Sequence, residues 1–165
     1  MAENKNEASG GNGGPQPGDA GQPSIQVVAQ YVKDLSFENP GIGTQIQRPQ
    51  IDLGVDLQAR RANTPPDHFE VTLKLRVAAT QDEKPMFLLE LAYCGLFHIS
   101  GIPEEELQPF LLIECPRVIF PFARRIVADA VRDGGLPPLL IEPIDFEALY
   151  RAKMNEMAKP RTATG

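Results

Sequence analysis

Two neighbouring stretches alternate between apolar and polar residues, and this alternation is the feature that most constrains the fold. Residues 51–61 carry apolar side chains at every second position, from Ile51 to Ala59, with polar residues or glycine between them. Residues 69–79 repeat the pattern. A period of two is that of a β-strand with one buried face and one face in water. The proline-containing turn residues 63–67 between the stretches therefore predict a β-hairpin.

Residues 25–38 form a third alternating stretch, which is less strict. Its odd positions are mostly apolar, and the pattern places Ala29 and Tyr31 on the same face as Ile25 and Val27. The opposite face carries an acidic stripe, formed by Asp34, Ser36 and Glu38. The acidic stripe is either a solvated face or a docking site for a basic segment of a partner.

Residues 86–99 form a fourth stretch, which is apolar on both faces. Glu90 is its only charged residue before His98. Strands covered on both sides have this composition. We therefore expect helices over one face, and a partner or a second subunit over part of the other.

The periodicity becomes helical after Gly101. Pro103 and the three glutamates that follow it are typical of a helix start, since acidic side chains complement the helix dipole. Pro116 and Pro121 are expected to interrupt this helix. A second helix is then predicted from Pro121 to Asp133, ended by two glycines. Its apolar face is predicted to carry Phe122, Ile126 and Ala130, together with Val127.

The remainder of the chain predicts an extended crossover and a last helix. Residues 136–143 hold three prolines and cannot be helical. Asp145 is a suitable N-cap for the helix that follows. Four strands followed by helices predict an α+β fold, with a four-stranded antiparallel sheet and helices packed on one of its faces.

Composition predicts one folded domain between two irregular ends. Residues 1–24 hold six Gly and three Pro, without Val, Ile, Leu, Phe or Tyr, and are predicted to be a disordered arm. The folded domain is expected over residues 25–157, followed by a flexible tail over residues 158–165.

The charge balance and the apolar runs restrict the partners. Acidic residues outnumber basic ones by 22 to 16, giving a net charge of -6, which disfavours binding to nucleic acid. No apolar run approaches the roughly 20 residues that cross a bilayer, so we expect no direct membrane insertion. The N-terminus lacks an apolar secretory region, which predicts a cytoplasmic protein.

The chain offers little to a catalytic interpretation. No glycine-rich phosphate loop precedes a Lys-Ser or Lys-Thr pair. Cys94 and His98 lie four apart on a predicted strand, which separates their side chains by roughly 13 Å. Two cysteines and two histidines without close cysteine spacing are a weak zinc set. We therefore predict no enzyme activity and no cofactor.

Four segments, taken together, closely resemble the SecB family of protein-export chaperones. They run in the family's order and are residues 31–40, residues 87–90 with 95–102, residues 115–124 and residues 143–150. The resemblance implies ATP-independent binding of unfolded precursor proteins, a homotetramer built as a dimer of dimers, and delivery of clients to the SecA motor. The positions that match the family's SecA contact are Asp34, Glu38, Leu88 and Glu90.

The client groove that the resemblance implies is harder to assign to residues. The candidates come from the second helix and the crossover: Phe120, Phe122, Ile126, Leu136, Leu139 and Ile141. An ordinary core position explains each of them equally well.

Two other functions remain open at this point. One is a SecB-like chaperone of a toxin–antitoxin pair, and the other is a small enzyme or ligand-binding domain. The retained docking residues favour SecA over the first. The arm and the short basic tail depart from the family pattern, so no role is carried over to them.

Overall fold

The fold is built on one four-stranded antiparallel sheet. In the computed structural model of the protein, which describes residues 22–160, the strands are β1 (Ser24–Glu38), β2 (Gln50–Arg61), β3 (His68–Gln81) and β4 (Lys84–Ser100). Their order across the sheet is β1-β4-β3-β2, and all neighbours are antiparallel. All four predicted strands are confirmed.

Two hairpins join the last three strands. The hairpin predicted between β2 and β3 is confirmed by their continuous pairing from Gln50–Thr80 to Arg61–Phe69. Between β3 and β4, Asp82 and Glu83 both have positive φ angles, of 51° and 61°. Positive φ at both central residues matches the twist of the flanking strands and permits a tight turn.

Helix α1 (Glu104–Asp133) packs on one face of the sheet, and α2 (Phe146–Ala158) packs against α1. We call the face beneath α1 the covered face and the other the open face. Helix α1 contacts β2, β3, β4 and α2. The predicted α+β class, with helices on one face of the sheet, is confirmed.

The predicted interruption of the first helix is wrong, because α1 runs without a break through Pro109, Pro116 and Pro121. A proline inside a helix removes a hydrogen bond and costs about 3 kcal/mol. Burial of one continuous apolar row against the sheet offsets this cost. The row takes every fourth residue and consists of Leu107, Leu111, Cys115, Ile119, Ala123, Val127 and Val131.

The predicted apolar face of the second helical part is correct at Val127 and displaced by one residue elsewhere. Ala123 and Val131 are buried together with Val127, whereas Phe122 is 45% exposed and Ile126 is half-buried. Within residues 121–133 the predicted row and the buried row both repeat every fourth residue, so the periodicity of this part alone does not choose between them.

The crossover and α2 agree with their predictions. Residues 136–145 have no helix or strand. Asp145 caps α2, since its Oδ1 accepts from the Ala148 amide at 3.0 Å. Phe146 is buried and contacts Phe120 edge-on, which fixes the start of α2 against α1.

Strand β1 departs from strict alternation at two β-bulges. Val28 and Lys33 are the extra residues, because β4 has no partner for either. The first bulge moves Ala29 and Tyr31 onto the open face and Gln30 onto the covered face, so the predicted placement of Ala29 and Tyr31 is wrong. The second bulge restores the alternation.

Gly95 sets the closest approach of α1 to the sheet. A Cβ at this position would lie 2.5 Å from the ring of Phe97 and 2.9 Å from Ile119 of α1. The helix therefore packs directly on the backbone of β4, the central strand that β1 and β3 flank.

Within the described residues, neither helix is both long and apolar enough to cross a membrane.

The predictions of a disordered arm and a flexible tail fall largely on residues 1–21 and 161–165, which lie outside the described residues.

Candidate partner and client surfaces

The four predicted partner residues lie together on the open face. We call Asp34, Glu38, Leu88 and Glu90 the acidic surface. Glu38 is the cross-strand neighbour of Leu88, and Ser36 is that of Glu90. Residues directly opposite each other on antiparallel strands point to the same face. The acidic surface is therefore continuous across β1 and β4 at one end of the sheet.

Most of this surface is available to a partner. Asp34, Glu38 and Glu90 are exposed, and Leu88 is half-buried. Glu90 pairs with Arg76 at 3.3 Å, and both side chains are about half exposed, so solvent screens the pair. No ion pair among residues 22–160 involves Asp34 or Glu38. Their carboxylates are free to meet cations of a partner.

A second group of charges lies beside the acidic surface, and we call it the Glu70 cluster. Glu70 of β3 is only 8% exposed. It accepts hydrogen bonds from Tyr31 of β1, from Lys33 Nζ at 3.2 Å and from Arg60 Nε of β2 at 2.8 Å. The Arg60 guanidinium, with Tyr31 and Lys33, lowers the pKa of Glu70 to about 2, and the bond to Glu70 raises the pKa of Tyr31. This cluster could not be predicted from the sequence, because its members come from three strands.

An apolar groove lies between the crossover, the end of α1 and the starts of β2 and β4. Its volume is about 310 Å³. The residues that line it are Ile46, Gln47, Pro49, Ile51, Met86, Phe87, Val131, Leu136, Pro137, Pro138 and Leu139. We call this set the apolar groove. Only Gln47 carries a polar side chain, so the groove suits apolar side chains of a ligand.

The structure separates the six candidate client residues into three groups. Leu136 and Leu139 are half-buried and line the groove. Phe120 and Ile141 are buried in the core, so their side chains support the surface from beneath. Phe122 and Ile126 lie on α1, outside the groove lining.

Of the eleven residues that line the groove, only Leu136 and Leu139 were predicted from the sequence. Ile46 and Pro49 lie between β1 and β2, Ile51 begins β2, and Phe87 belongs to β4. The β1–β2 connection carries only two isoleucines, Ile42 and Ile46, among polar residues, glycine and proline, so its sequence did not signal a part in the groove. Only the fold brings the two connections together.

Neither cysteine is arranged as a nucleophile. Cys94 is buried and contacts the Thr72 hydroxyl at 3.2 Å, while the His98 ring lies against that of His68. Burial raises the pKa of the Cys115 thiol to about 12, so it remains protonated. Among the described residues, no group of three or more His, Cys, Asp or Glu could hold a metal ion.

Helix α1 leaves part of the covered face bare along β1. Ile25, Val27, Val32 and Leu35 are each between 38% and 45% exposed. The register places them on the covered face, opposite buried residues of β4. This edge is an apolar strip on a single chain, which is a feature of association surfaces. Phe122 adds a further exposed apolar side chain on α1.

Together these features are those of a binding protein: an α+β domain with an acidic sheet surface, an apolar groove and an apolar edge. Comparison with known families is specific: the model of the preprotein translocase subunit SecB matches residues 18–157. The protein-export protein SecB of Maricaulis maris is 53% identical over 140 residues, covering 82% of this chain and 80% of the relative. That of Parvibaculum lavamentivorans is 51% identical over 152 residues, with 90% and 88% coverage. The chain belongs to the SecB family of protein-export chaperones.

The solved structures agree on the fold. A SecB-like chaperone of Mycobacterium tuberculosis, solved with a peptide from an antitoxin, superposes with a TM-score of 0.64 and 18% identity. The match covers 73% of this chain and 90% of that one. At this identity the match concerns the fold alone. The relatives named for protein export are about 50% identical, so the toxin–antitoxin hypothesis is not favoured.

Proposed function

We propose that this chaperone binds unfolded precursor proteins in the cytoplasm without nucleotide, keeps them export-competent and delivers them to SecA. The observation that carries the proposal is that the chain has two separate surfaces of opposite chemistry. The apolar groove lies beside the covered face and the acidic surface on the open face. Two surfaces allow a client and a partner to bind at the same time.

The apolar groove is the proposed client site, with Leu136 and Leu139 as the side chains contributed by the crossover. Unfolded chains expose the apolar and aromatic side chains that folded proteins bury. A groove with one polar lining residue selects such side chains by burial and not by sequence. Clients are therefore expected to be extended and to lack stable structure.

The acidic surface is the proposed SecA site, formed by Asp34, Glu38, Leu88 and Glu90. The unpaired carboxylates of Asp34 and Glu38, beside the half-buried Leu88, suit a basic segment with an apolar side chain. Charge pairing would set the rate and specificity of binding, and Leu88 would add apolar contact.

We also propose that the protein is a homotetramer, built as a dimer of dimers. The support is the apolar strip on β1 together with Phe122, which one chain leaves in water. A second chain over this strip would bury it, at about 25 cal/mol for each Å² of apolar surface removed from water.

Release of the client is expected to occur by a shift of equilibrium and not by hydrolysis. No catalytic activity, no cofactor and no binding to nucleic acid are expected. Folding of the client removes unfolded chain from solution, and SecA promotes release to the extent that it binds the client-free chaperone more tightly, so both shift the population away from the bound state.

A dilution assay tests the proposal. A slow-folding precursor is unfolded chemically and diluted into buffer with or without the protein, in the absence of nucleotide, and light scattering is followed. Suppression of aggregation at a near-stoichiometric ratio is expected. Unchanged aggregation with a several-fold excess of folded protein would refute the chaperone function, and the acidic surface would then need another partner.

Titration with SecA tests the second half of the proposal. SecA is expected to bind the chaperone with and without a client, because the two surfaces do not overlap. Binding that a client abolishes would show that SecA and client share one site.

A further inference from the structure

One wall of the apolar groove belongs to a segment without regular secondary structure. The connection between β1 and β2 covers residues 39–49, and Ile46, in its second half, lines the groove and packs against the core. The crossover forms the opposite wall. An apolar side chain of a client can contact both walls only if Ile46 is held in place.

Backbone contacts anchor only the start of this connection. The Gly41 amide donates to the Met86 carbonyl at 3.0 Å, and the Thr44 amide donates to the Gly41 carbonyl at 3.0 Å. Outside the strands, no backbone–backbone hydrogen bond of the described residues involves residues 45–49. A segment with so few backbone contacts opens locally unless side chains hold it.

The side chain of Gln81, the last residue of β3, supplies this support. Its Oε1 accepts from the Gln47 amide at 2.9 Å, and its Nε2 donates to the Gln45 carbonyl at 2.8 Å. A primary amide is suited to this task because it carries a donor and an acceptor side by side. The two bonds lie on either side of Ile46. Rotation of the Ile46 backbone away from its present orientation would therefore break at least one of them.

The bonds to Gln81 are directional, in contrast to the apolar contacts of Ile46. Apolar burial favours every placement that removes Ile46 from water, including one in which its side chain fills the groove. A hydrogen bond weakens steeply away from its preferred angle, so the pair of bonds selects one orientation of the backbone. In that orientation about 310 Å³ of the groove stays open. Gln81 lies outside the groove lining, so a bound client does not compete for its contacts.

We propose that Gln81 is a positioning residue for client binding: its side chain clamps the backbone around Ile46 and keeps this isoleucine as a wall of an open groove. The inference rests on the proposed client site. It assigns a role in client recognition to a side chain of the sheet that lies outside that site.

The test is Gln81→Met in the full chain, which removes both bonds and keeps the length of the side chain. Exchange of the Gln47 amide is measured by NMR without client. Binding of a labelled, extended peptide rich in leucine and phenylalanine is measured by fluorescence anisotropy. Exchange about tenfold faster and peptide affinity about threefold to tenfold lower are expected, since two hydrogen bonds of modest strength are lost. SecA affinity should be unchanged.

A double-mutant cycle separates positioning from a general loss of stability. Ile46→Ala removes the wall itself and should lower peptide affinity about tenfold. Adding Gln81→Met to Ile46→Ala should then cause little further loss, because the wall that Gln81 positions is already absent. Gln50→Met is the matched control, since Gln50 is an exposed glutamine at the start of β2 and lies outside the groove lining. It should bind the peptide as the wild type does.

Unchanged exchange of Gln47 or unchanged peptide affinity in Gln81→Met would overturn the proposal, and so would losses that add in full in the double variant. Unchanged affinity in Ile46→Ala would overturn it without any change at Gln81. A wild-type protein that fails to bind the peptide would refute the proposed client site instead. The exchange rate of Gln47 would in that case still decide whether Gln81 holds the connection.

Discussion

The two faces of the sheet are made by the same four strands and have opposite chemistry. On the covered face, Leu73, Leu75 and Leu89 are almost completely inaccessible to water. On the open face, their neighbours in sequence are charged residues such as Lys74 and Glu90. The covered face holds the hydrophobic core, and the open face carries the proposed SecA site. Substitutions one residue apart in the same strand should therefore have unrelated effects.

Leu89→Ala should have the largest effect of the changes considered. Leu89 is fully buried beneath the helices, so the variant loses buried apolar area and gains a cavity. We expect a loss of about 2–5 kcal/mol in the free energy of unfolding. Denaturant titration at a fixed protein concentration measures it, since association contributes to stability. Glu90→Ala is the control on the opposite face and should cost less than about 1 kcal/mol. Equal losses would contradict the division between the faces.

Glu90→Lys tests the open face. It places a cation within the acidic surface, opposite Ser36 and next to Arg76. SecA affinity should fall about tenfold or more, while client aggregation is suppressed as before. Asp34→Ala should act in the same direction with a smaller effect.

Glu105→Lys is the matched control for Glu90→Lys. It makes the same change of net charge at an exposed site at the start of α1. Its SecA affinity should stay close to that of the wild type. Equal losses in both variants would mean that net charge, and not the acidic surface, governs binding.

Leu136→Ser with Leu139→Ser tests the apolar groove. Two groove-lining side chains become polar, so client affinity should fall about tenfold, with SecA affinity unchanged. Leu140→Ser is the control, because Leu140 belongs to the same crossover, is 65% exposed and does not line the groove. Unchanged client affinity in a double variant that is still folded would exclude the groove as the client site.

Acid should weaken the fold through Glu70. The folded-state pKa of Glu70 is about 2, below its ordinary value of 4.5. A lowered pKa stabilises the fold above the ordinary value, and this contribution disappears as the pH falls from 4.5 towards 2. The drop in unfolding free energy between about pH 5 and about pH 3 should therefore be smaller in Glu70→Gln. An equal drop in both proteins would assign acid sensitivity to other carboxylates.

A change in salt concentration should distinguish the two binding surfaces, and its expected effect is the smallest of those considered. Raising the salt from about 0.05 M to about 0.5 M screens the exposed carboxylates Asp34 and Glu38, so SecA affinity should fall. Client binding through the apolar groove should change little, because apolar burial does not depend on screening. Parallel affinity measurements on one preparation check the difference. Equal salt dependence would argue that charge contributes to both.

The strands and their faces followed from sequence wherever the alternation was unbroken. Residues 51–61 and 69–79 paired as predicted. A strand with a period of two buries its apolar residues only when all of them point to the same face of the sheet, so the pattern determines the face. In β1 the same rule misplaced Ala29 and Tyr31, since a bulge leaves no mark in the apolar pattern. Two bulges cancel, which is why Asp34 and Glu38 were still assigned to the correct face.

Helix α1 shows the opposite error. The local effect of single prolines was given more weight than the apolar period of the whole segment. Pro116 and Pro121 predicted a break, but the row from Leu107 to Val131 continues through them at every fourth position. Giving the long-range period precedence over single prolines would have predicted one helix and its buried face. Burial against the sheet outweighs the local cost of each proline.

By itself the sequence determined the order of elements, the α+β class, the absence of a catalytic motif and the family, because each depends on residue types and spacings along the chain. Only the tertiary structure decided what meets across strands and connections. It joined residues 46–51 to residues 136–139 in the apolar groove, and it brought Tyr31, Lys33 and Arg60 to Glu70. The physical reason is that these contacts depend on the sheet register and on the packing of the helices. Both are determined by the free energy of the whole chain and not by that of any one segment.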